Sequence, residues 1–221
     1  MNILTLLFAL SVTLLTACVG AVASDASTVP ADETPGRLTE GLQTARPSID
    51  IDISMYLLVN SAGSTISTRR TEDELREILS GMNEIWSQAD IHLDLRNVST
   101  VEVPRDVLGQ AVRGDLRVFF QALGDGVQIP QPSTINAFYV RNVGGPNGIN
   151  PFSSRAFFVI DEPSVHDRRV SSHEVGHILG LHHDLEDSGS LMFSGTNGMR
   201  ISAEEATVAR YIAKGILNGI R

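Results

Sequence analysis

Cysteine, lysine and long apolar segments are all scarce in this 221-residue chain. The single cysteine, Cys18, cannot form a disulfide within the chain, which excludes a disulfide-stabilised fold. The single lysine, Lys214, and a formal net charge of −9 argue against a basic surface, so no nucleic-acid partner is expected. The one long apolar run, residues 3–17, is shorter than the roughly 20 residues that a transmembrane helix needs.

The apolar run is typical of the hydrophobic region of a secretory signal peptide, which we assign to residues 1–18. Lysine and arginine are missing before it. The last four residues of the 1–18 segment, Leu15-Thr16-Ala17-Cys18, resemble a bacterial lipobox, which favours cleavage before Cys18 and a lipid anchor on its thiol. The alternative is an ordinary signal peptide cut near Ala23. Either way we expect an exported protein, lipid-anchored to the bacterial envelope or secreted.

Residues 19–48 are rich in Ala, Ser, Thr, Asp and Pro and have little apolar periodicity, so they are interpreted as a flexible linker, with a pro-segment as the alternative. Residues 49–221 are expected to form one catalytic domain. Apolar periodicity there predicts strands at 49–59, 91–95, 134–141, 148–152 and 156–160, and helices at 72–89, 105–123, from about 167 to 181, and after Ser202. This order predicts an α+β fold in which helices pack on a mixed β-sheet.

The most informative stretch, residues 173–183, holds four of the six histidines. His173 and His177 are four residues apart, so on a helix both rings lie on one face and can bind one metal ion. Glu174 is next to this pair and can reach a water molecule bound to the ion. Gly180 can end the helix at no Cβ cost, and the chain can then return with His183 as a third ligand. The adjacent His182 competes with His183 for that role.

The pattern His173-Glu174-x-x-His177-x-x-Gly180-x-x-His183 resembles the zinc motif of the metzincins, a clan of zinc endopeptidases. The family places a methionine turn beneath the metal, and Met192 within Ser190–Gly195 matches it. The resemblance covers about residues 49–221. It implies a zincin-type fold, with the sheet and two to three helices above a cleft, and a small C-terminal part made of the methionine turn and one long helix. The motif spacing selects His183, not His182, as the third ligand.

The resemblance also implies the chemistry. Three histidines leave a zinc ion one open position for water, whose pKa falls to about 7, and Glu174 acts as the general base. A protein or peptide substrate would bind in extended form along an edge strand, for which residues 147–154 are the candidate. Asp184 after the third histidine resembles the reprolysin branch, where matrixins usually have serine, yet reprolysin cysteines are missing. Asp184 is expected to hold the following loop. We expect a monomer.

Two other functions are compatible with the sequence. A zinc-stabilised binding protein of the envelope could use the same fold without turnover, although such a site would have no need of Glu174. A protease aimed at one host protein has the same sequence features as a general one.

Overall fold

The structure is a computed structural model, and it describes residues 46–60, 67–107, 134–141, 147–150, 155–161, 167–195 and 198–219. Residues 44–221 form one compact unit. The predicted signal peptide, the lipobox cysteine and nearly all of the predicted linker lie outside the described residues, as does the 105–123 helix beyond residue 107. Within the described part, no helix is both long and apolar enough to cross a bilayer.

The core of the fold is a five-stranded mixed sheet with the order β2-β1-β3-β5-β4. The strands are β1 (Ile49–Val59), β2 (Ile91–Glu102), β3 (Ile135–Val140), β4 (Gly148–Ile149) and β5 (Ala156–Ile160). All neighbouring pairs are parallel except β4 and β5, which are antiparallel. The predicted α+β class and mixed sheet are therefore confirmed.

Two strand boundaries differ from the prediction by more than one residue. The apolar alternation that marks β2 stops at Leu95, but the strand continues to Glu102 because its main chain stays paired with β1, across a register shift after Ile53. Strand β4 contains only two residues, where five were predicted, and residues 151–154 are outside the described part. Main-chain pairing, which side-chain periodicity does not report, sets the length of β2.

Three α-helices lie wholly within the described residues and pack around the sheet: α1 (Glu72–Trp86), α2 (Asp167–Ile178) and α3 (Ala203–Leu217). Both predicted capping boxes are present, at Thr71 before α1 and at Ser202 before α3. A 3-10 turn (Ser87–Ala89) follows α1, and Asp90 then ends the helical segment in the left-handed region, at φ 51°. Trp86 is fully buried, as expected for the anchor of α1.

A buried polar network fixes the N-terminus of α2 against the sheet. The guanidinium of Arg70 forms ion pairs with Asp161, at the end of β5, and with Asp167, the first residue of α2. One turn further on, the hydroxyls of Tyr139 on β3 and Ser171 on α2 are hydrogen-bonded at 3.0 Å. Because both contacts lie on the sheet side of α2, they set the orientation in which the helix presents its histidines.

Candidate metal centre

Helix α2 and the turn after it bring His173, His177 and His183 together. The rings of His173 and His177 lie one helical turn apart, with their centroids separated by 4.8 Å and their planes at 90°. The helix ends at Ile178, three residues before the predicted end, in a Schellman motif in which Gly180 N–H donates to His177 O and Leu181 N–H to Gly176 O. Gly180 has φ 81°, the left-handed conformation that its predicted role requires.

The three histidines point their Nε2 atoms at a common centre. The Nε2 atom of His183 lies 3.2 Å from that of His177 and 3.2 Å from that of His173. All three candidate ligand atoms lie within 4.8 Å of one another. A tetrahedral zinc ion with Zn–N bonds of about 2.0–2.1 Å separates its nitrogen ligands by about 3.3–3.4 Å. The donor set and its spacing therefore fit zinc.

Main-chain carbonyls fix the proton positions on two of these rings. His173 Nδ1 lies 2.8 Å from Leu191 O, and His177 Nδ1 lies 3.0 Å from Leu181 O. A carbonyl can only accept, so each Nδ1 carries the proton and each Nε2 presents a lone pair to the centre. Burial lowers the pKa of His173 to about 4 and also lowers the pKa of His177, so both rings are neutral at pH 7.

The three Nε2 atoms suit a bound cation better than hydrogen bonds to one another. Since the Nε2 atoms of His173 and His177 are both acceptors, a proton on His183 Nε2 could be directed at only one of them, and the lone pair of the other would have no donor. A cation can bind all three lone pairs at once when His183 also presents an unprotonated Nε2.

Glu174 lies beside the histidines under the edge strand and is only 5% exposed. Its carboxylate accepts a hydrogen bond from the main-chain N–H of Asn150. A Cβ added to Gly148 on β4 would be 2.5 Å from Glu174 Oε1, so the absence of a side chain there makes room for the carboxylate. Burial raises the pKa of Glu174 to about 8, although the Asn150 N–H and the charge of Arg169 oppose the rise. A bound cation would lower it.

Met192 is fully buried against the middle of α2. Its main-chain N–H is held by the hydroxyl of Ser190 at 3.0 Å. Its sulfur occupies the space where Gly176 would carry a Cβ, between the turns that bear His173 and His177. The sulfur thus packs against the helix that bears the two histidines, consistent with the hydrophobic floor that the family resemblance implies.

The residues after the third histidine are placed as expected. Asp184 Oδ1 accepts hydrogen bonds from the main-chain N–H groups of Glu186 at 2.9 Å and Asp187 at 3.0 Å, so this carboxylate holds the loop. His182 is exposed, and the cluster that can hold a metal contains His183 in its place.

Three residues that support the site were not predicted from the sequence: Gly148, Gly176 and Arg169. Gly176 had a detectable signal, because a glycine inside a helix costs about 1 kcal/mol relative to alanine and is usually explained by close packing. Gly148 lies in a glycine-rich loop and Arg169 in a polar helical turn, and neither pattern reveals a contact with residues distant in sequence.

No protein-family model and no curated protein matches the chain, but solved structures share its fold. A structure of a chaperone–substrate complex aligns with a TM-score of 0.55 at 16% identity, over 79% of this chain and 35% of that one. Archaemetzincin from Methanopyrus kandleri aligns with a TM-score of 0.52 at 14% identity, over 77% of this chain and 99% of the other. Metalloproteinase-II from Bacteroides fragilis aligns with a TM-score of 0.50 at 13% identity, over 80% and 55%. The chain thus has a metallopeptidase-like fold. It spans about a third of the length of the matched chain in the chaperone–substrate complex.

Proposed function

We propose that the protein is a zinc-dependent endopeptidase of the metzincin type that hydrolyses peptide bonds of extracytoplasmic proteins or peptides. The observation that carries the proposal is the convergence of three histidine Nε2 atoms beside a buried glutamate. In this proposal His173, His177 and His183 hold the zinc ion, and Glu174 is the general base. The likeness of the fold to an archaemetzincin and a metalloproteinase supports it.

The histidines and Glu174 have different roles in the proposed reaction. When bound, zinc supplies Lewis acidity that polarises a substrate carbonyl and makes a water molecule more acidic. His173 and His177 hold that ion with neutral rings whose orientation is set by carbonyl acceptors. Glu174 takes a proton from the attacking water on a carboxylate oxygen and later passes it to the nitrogen of the leaving amine.

Strand β4 is the proposed binding edge for an extended peptide. It is the last strand in the sheet order, and its other side pairs with no strand in the described part of the chain. Its residue Gly148 is in contact with Glu174, so a peptide added to this edge would lie near the general base. The proposed substrate is therefore an unfolded or loop segment of a protein.

The branch of the family, the oligomeric state and the cellular location are also proposed. Asp184 directly after His183 resembles the reprolysin branch, but the reprolysin cysteines are missing, so we propose a matrixin- or reprolysin-like member without choosing between them. We also propose a monomer that is exported, either lipid-anchored to the envelope or secreted. The Leu15–Cys18 pattern supports a lipid anchor at Cys18. The intact mass of membrane-extracted protein tests the anchor, because a mature chain that begins after Cys18 would contradict it.

Cleavage of casein by the zinc-loaded protein tests the proposal. We expect Glu174→Gln to lower the rate by about 10²- to 10⁴-fold, the usual contribution of general acid–base catalysis, while zinc content stays unchanged. Glu186→Gln is the matched control, since this exposed glutamate lies three residues after His183. A chelator should abolish cleavage by the wild type.

The same experiment separates the enzyme from a zinc-stabilised binding protein. If the zinc-loaded wild type cleaves neither casein nor a proteome-derived peptide library, and Glu174→Gln changes no measured property, the chain is a binding protein. Cleavage that survives both the chelator and the substitution would contradict the zinc mechanism itself.

A further inference from the structure

Arg169 is a buried cation on the face of α2 that carries the metal ligands. It is 4% exposed and lies four residues before His173, one turn earlier in the helix. Its Nε donates to Gly198 O at 3.0 Å, and its Nη2 donates to Leu191 O at 2.9 Å and also to Phe193 O. The guanidinium therefore binds the carbonyls on both sides of Met192.

One of these acceptors is shared with a metal ligand. Leu191 O accepts from Arg169 Nη2 at 2.9 Å and from His173 Nδ1 at 2.8 Å. A carbonyl oxygen has two lone pairs, so both bonds can form at once. Arg169 therefore binds the same carbonyl that accepts from His173 Nδ1, which connects the guanidinium to the orientation and protonation of that ring.

The burial of Arg169 is costly, which calls for a reason beyond packing. Burial lowers its pKa, and only the charge of Glu174 opposes the effect. Among the described residues, no carboxylate is within ion-pair distance of its guanidinium. A buried charge that has carbonyl partners but no ion pair is rarely favourable for stability, and an apolar side chain of similar size would cost less free energy.

We propose that Arg169 is a positioning residue of the metal centre, which holds His173 through the Leu191 carbonyl with Nδ1 protonated and Nε2 free to bind the ion. This proposal rests on the proposed function, because a residue that positions a metal ligand is useful only if zinc binds there. Its predictions concern zinc affinity and the protonation of His173, so the absence of proteolysis would not contradict them.

Arg210 on α3 provides the control, although unlike Arg169 it also forms an ion pair, with Asp90 at 3.5 Å. This arginine is also buried, at 8% exposed, and it also donates to three main-chain carbonyls, those of Pro47, Ala89 and Asp90, at 2.8–2.9 Å. None of those carbonyls accepts from a histidine of the centre. A lysine at either position keeps the charge but loses the planar fork that reaches several acceptors at once.

The experiment compares Arg169→Lys with Arg210→Lys in two measurements. Competition with a chelator gives the Kd for zinc, and ¹⁵N chemical shifts of the imidazole rings in zinc-free protein at pH 7 give the protonated nitrogen of His173. We expect Arg169→Lys to raise the Kd by about 10- to 100-fold and to reduce the fraction of His173 protonated at Nδ1. Arg210→Lys should lower thermal stability but leave both measurements within about threefold of the wild type.

Three outcomes would overturn the proposal: unchanged Kd and unchanged protonation in Arg169→Lys, equal shifts in both variants, or a wild-type His173 protonated mainly at Nε2. The last is measured without any substitution, so it can refute the proposal even if Arg169→Lys does not fold. Arg169→Gln, which keeps a planar donor without the charge, is the second variant. It should fold and should raise the Kd for zinc, whereas an unfolded variant would not bind zinc at this site at all.

Discussion

Replacement of Gly148 by alanine should slow catalysis without releasing the metal. The added Cβ would lie 2.5 Å from Glu174 Oε1, 2.9 Å from Glu174 Cγ and 2.7 Å from Val170 Cγ1. Ordinary contacts between such atoms begin at 3.4 Å. The carboxylate must therefore move by about 1 Å, and because it is the free end of a side chain it can do so.

The size of the effect follows from that displacement. A misplacement of 1 Å in a catalytic group can cost about 100-fold in rate, which corresponds to about 2.7 kcal/mol in the activation barrier. The contact with Val170 adds an overpacking cost of about 1–3 kcal/mol to the free energy of folding. We therefore expect a kcat about 100-fold below that of the wild type in a protein that still folds.

Steady-state cleavage of a fluorogenic peptide, together with metal analysis, provides the assay. We expect kcat to fall, KM to change by less than about threefold, and zinc to remain at one ion per chain, because the three atoms nearest to the new methyl group belong to Glu174 and Val170 and not to a metal ligand. Gly215→Ala is the control. A Cβ at Gly215 meets nothing within 4 Å, so this variant should keep the wild-type kcat and gain up to about 1 kcal/mol of stability.

A double variant identifies the residue through which Gly148 acts. In a Glu174→Gln background the base is already lost, so Gly148→Ala should cause little further loss. A second 100-fold loss there, or full activity of the single variant, would refute the argument. Loss of zinc from Gly148→Ala would refute it as well, since the strand would then be supporting the ligands.

Further substitutions test the choice of metal ligands, the packing beneath them and the buried carboxylate at the start of α2. His183→Ala should release zinc and abolish cleavage, whereas His182→Ala should change zinc content and rate little, as dialysis followed by metal analysis will show. Gly176→Ala would place a methyl group on the Met192 sulfur, so thermal denaturation should show about 1–3 kcal/mol of lost stability, with Met192→Ala restoring part of it. Burial raises the pKa of Asp167 from 3.8 to about 6, so the folded protein holds this proton more tightly than the unfolded chain. The stability that protonated Asp167 contributes is complete below about pH 4 and is lost as the pH rises through about 6. The melting temperature of the wild type should therefore fall over this range, and Asp167→Asn should not show that fall.

The helix and the turn that carry the metal ligands could be predicted from the sequence because their geometry depends only on neighbouring residues. The spacing of His173 and His177 places two rings on one helical face, and Gly180 permits the left-handed turn that returns His183 to them. The same holds for the capping boxes, in which a side chain binds a main-chain group three residues away. In each case a few consecutive residues contain all the atoms of the interaction.

The contacts that support the site could not be predicted in this way. Gly148 meets Glu174 because an antiparallel strand ends above α2, and Arg169 meets Leu191 because the chain returns beneath the helix. Periodicity reports which face of an element is apolar, but not which distant residue lies against it. For the same reason the sequence predicted the strand β2 but not its length, which the pairing with β1 determines.

The Schellman turn at Gly180 has a consequence for the order in which the protein can fold. The three ligands and the Leu191 carbonyl all belong to residues 173–191, and the turn brings them together. This short segment therefore closes with a small loss of chain entropy. The sheet instead requires the pairing of β1 with β3, whose partners Ile53 and Ile135 are far apart in the sequence, so it forms more slowly. An ion that binds only the closed segment stabilises it by mass action. Metal uptake can therefore precede completion of the sheet.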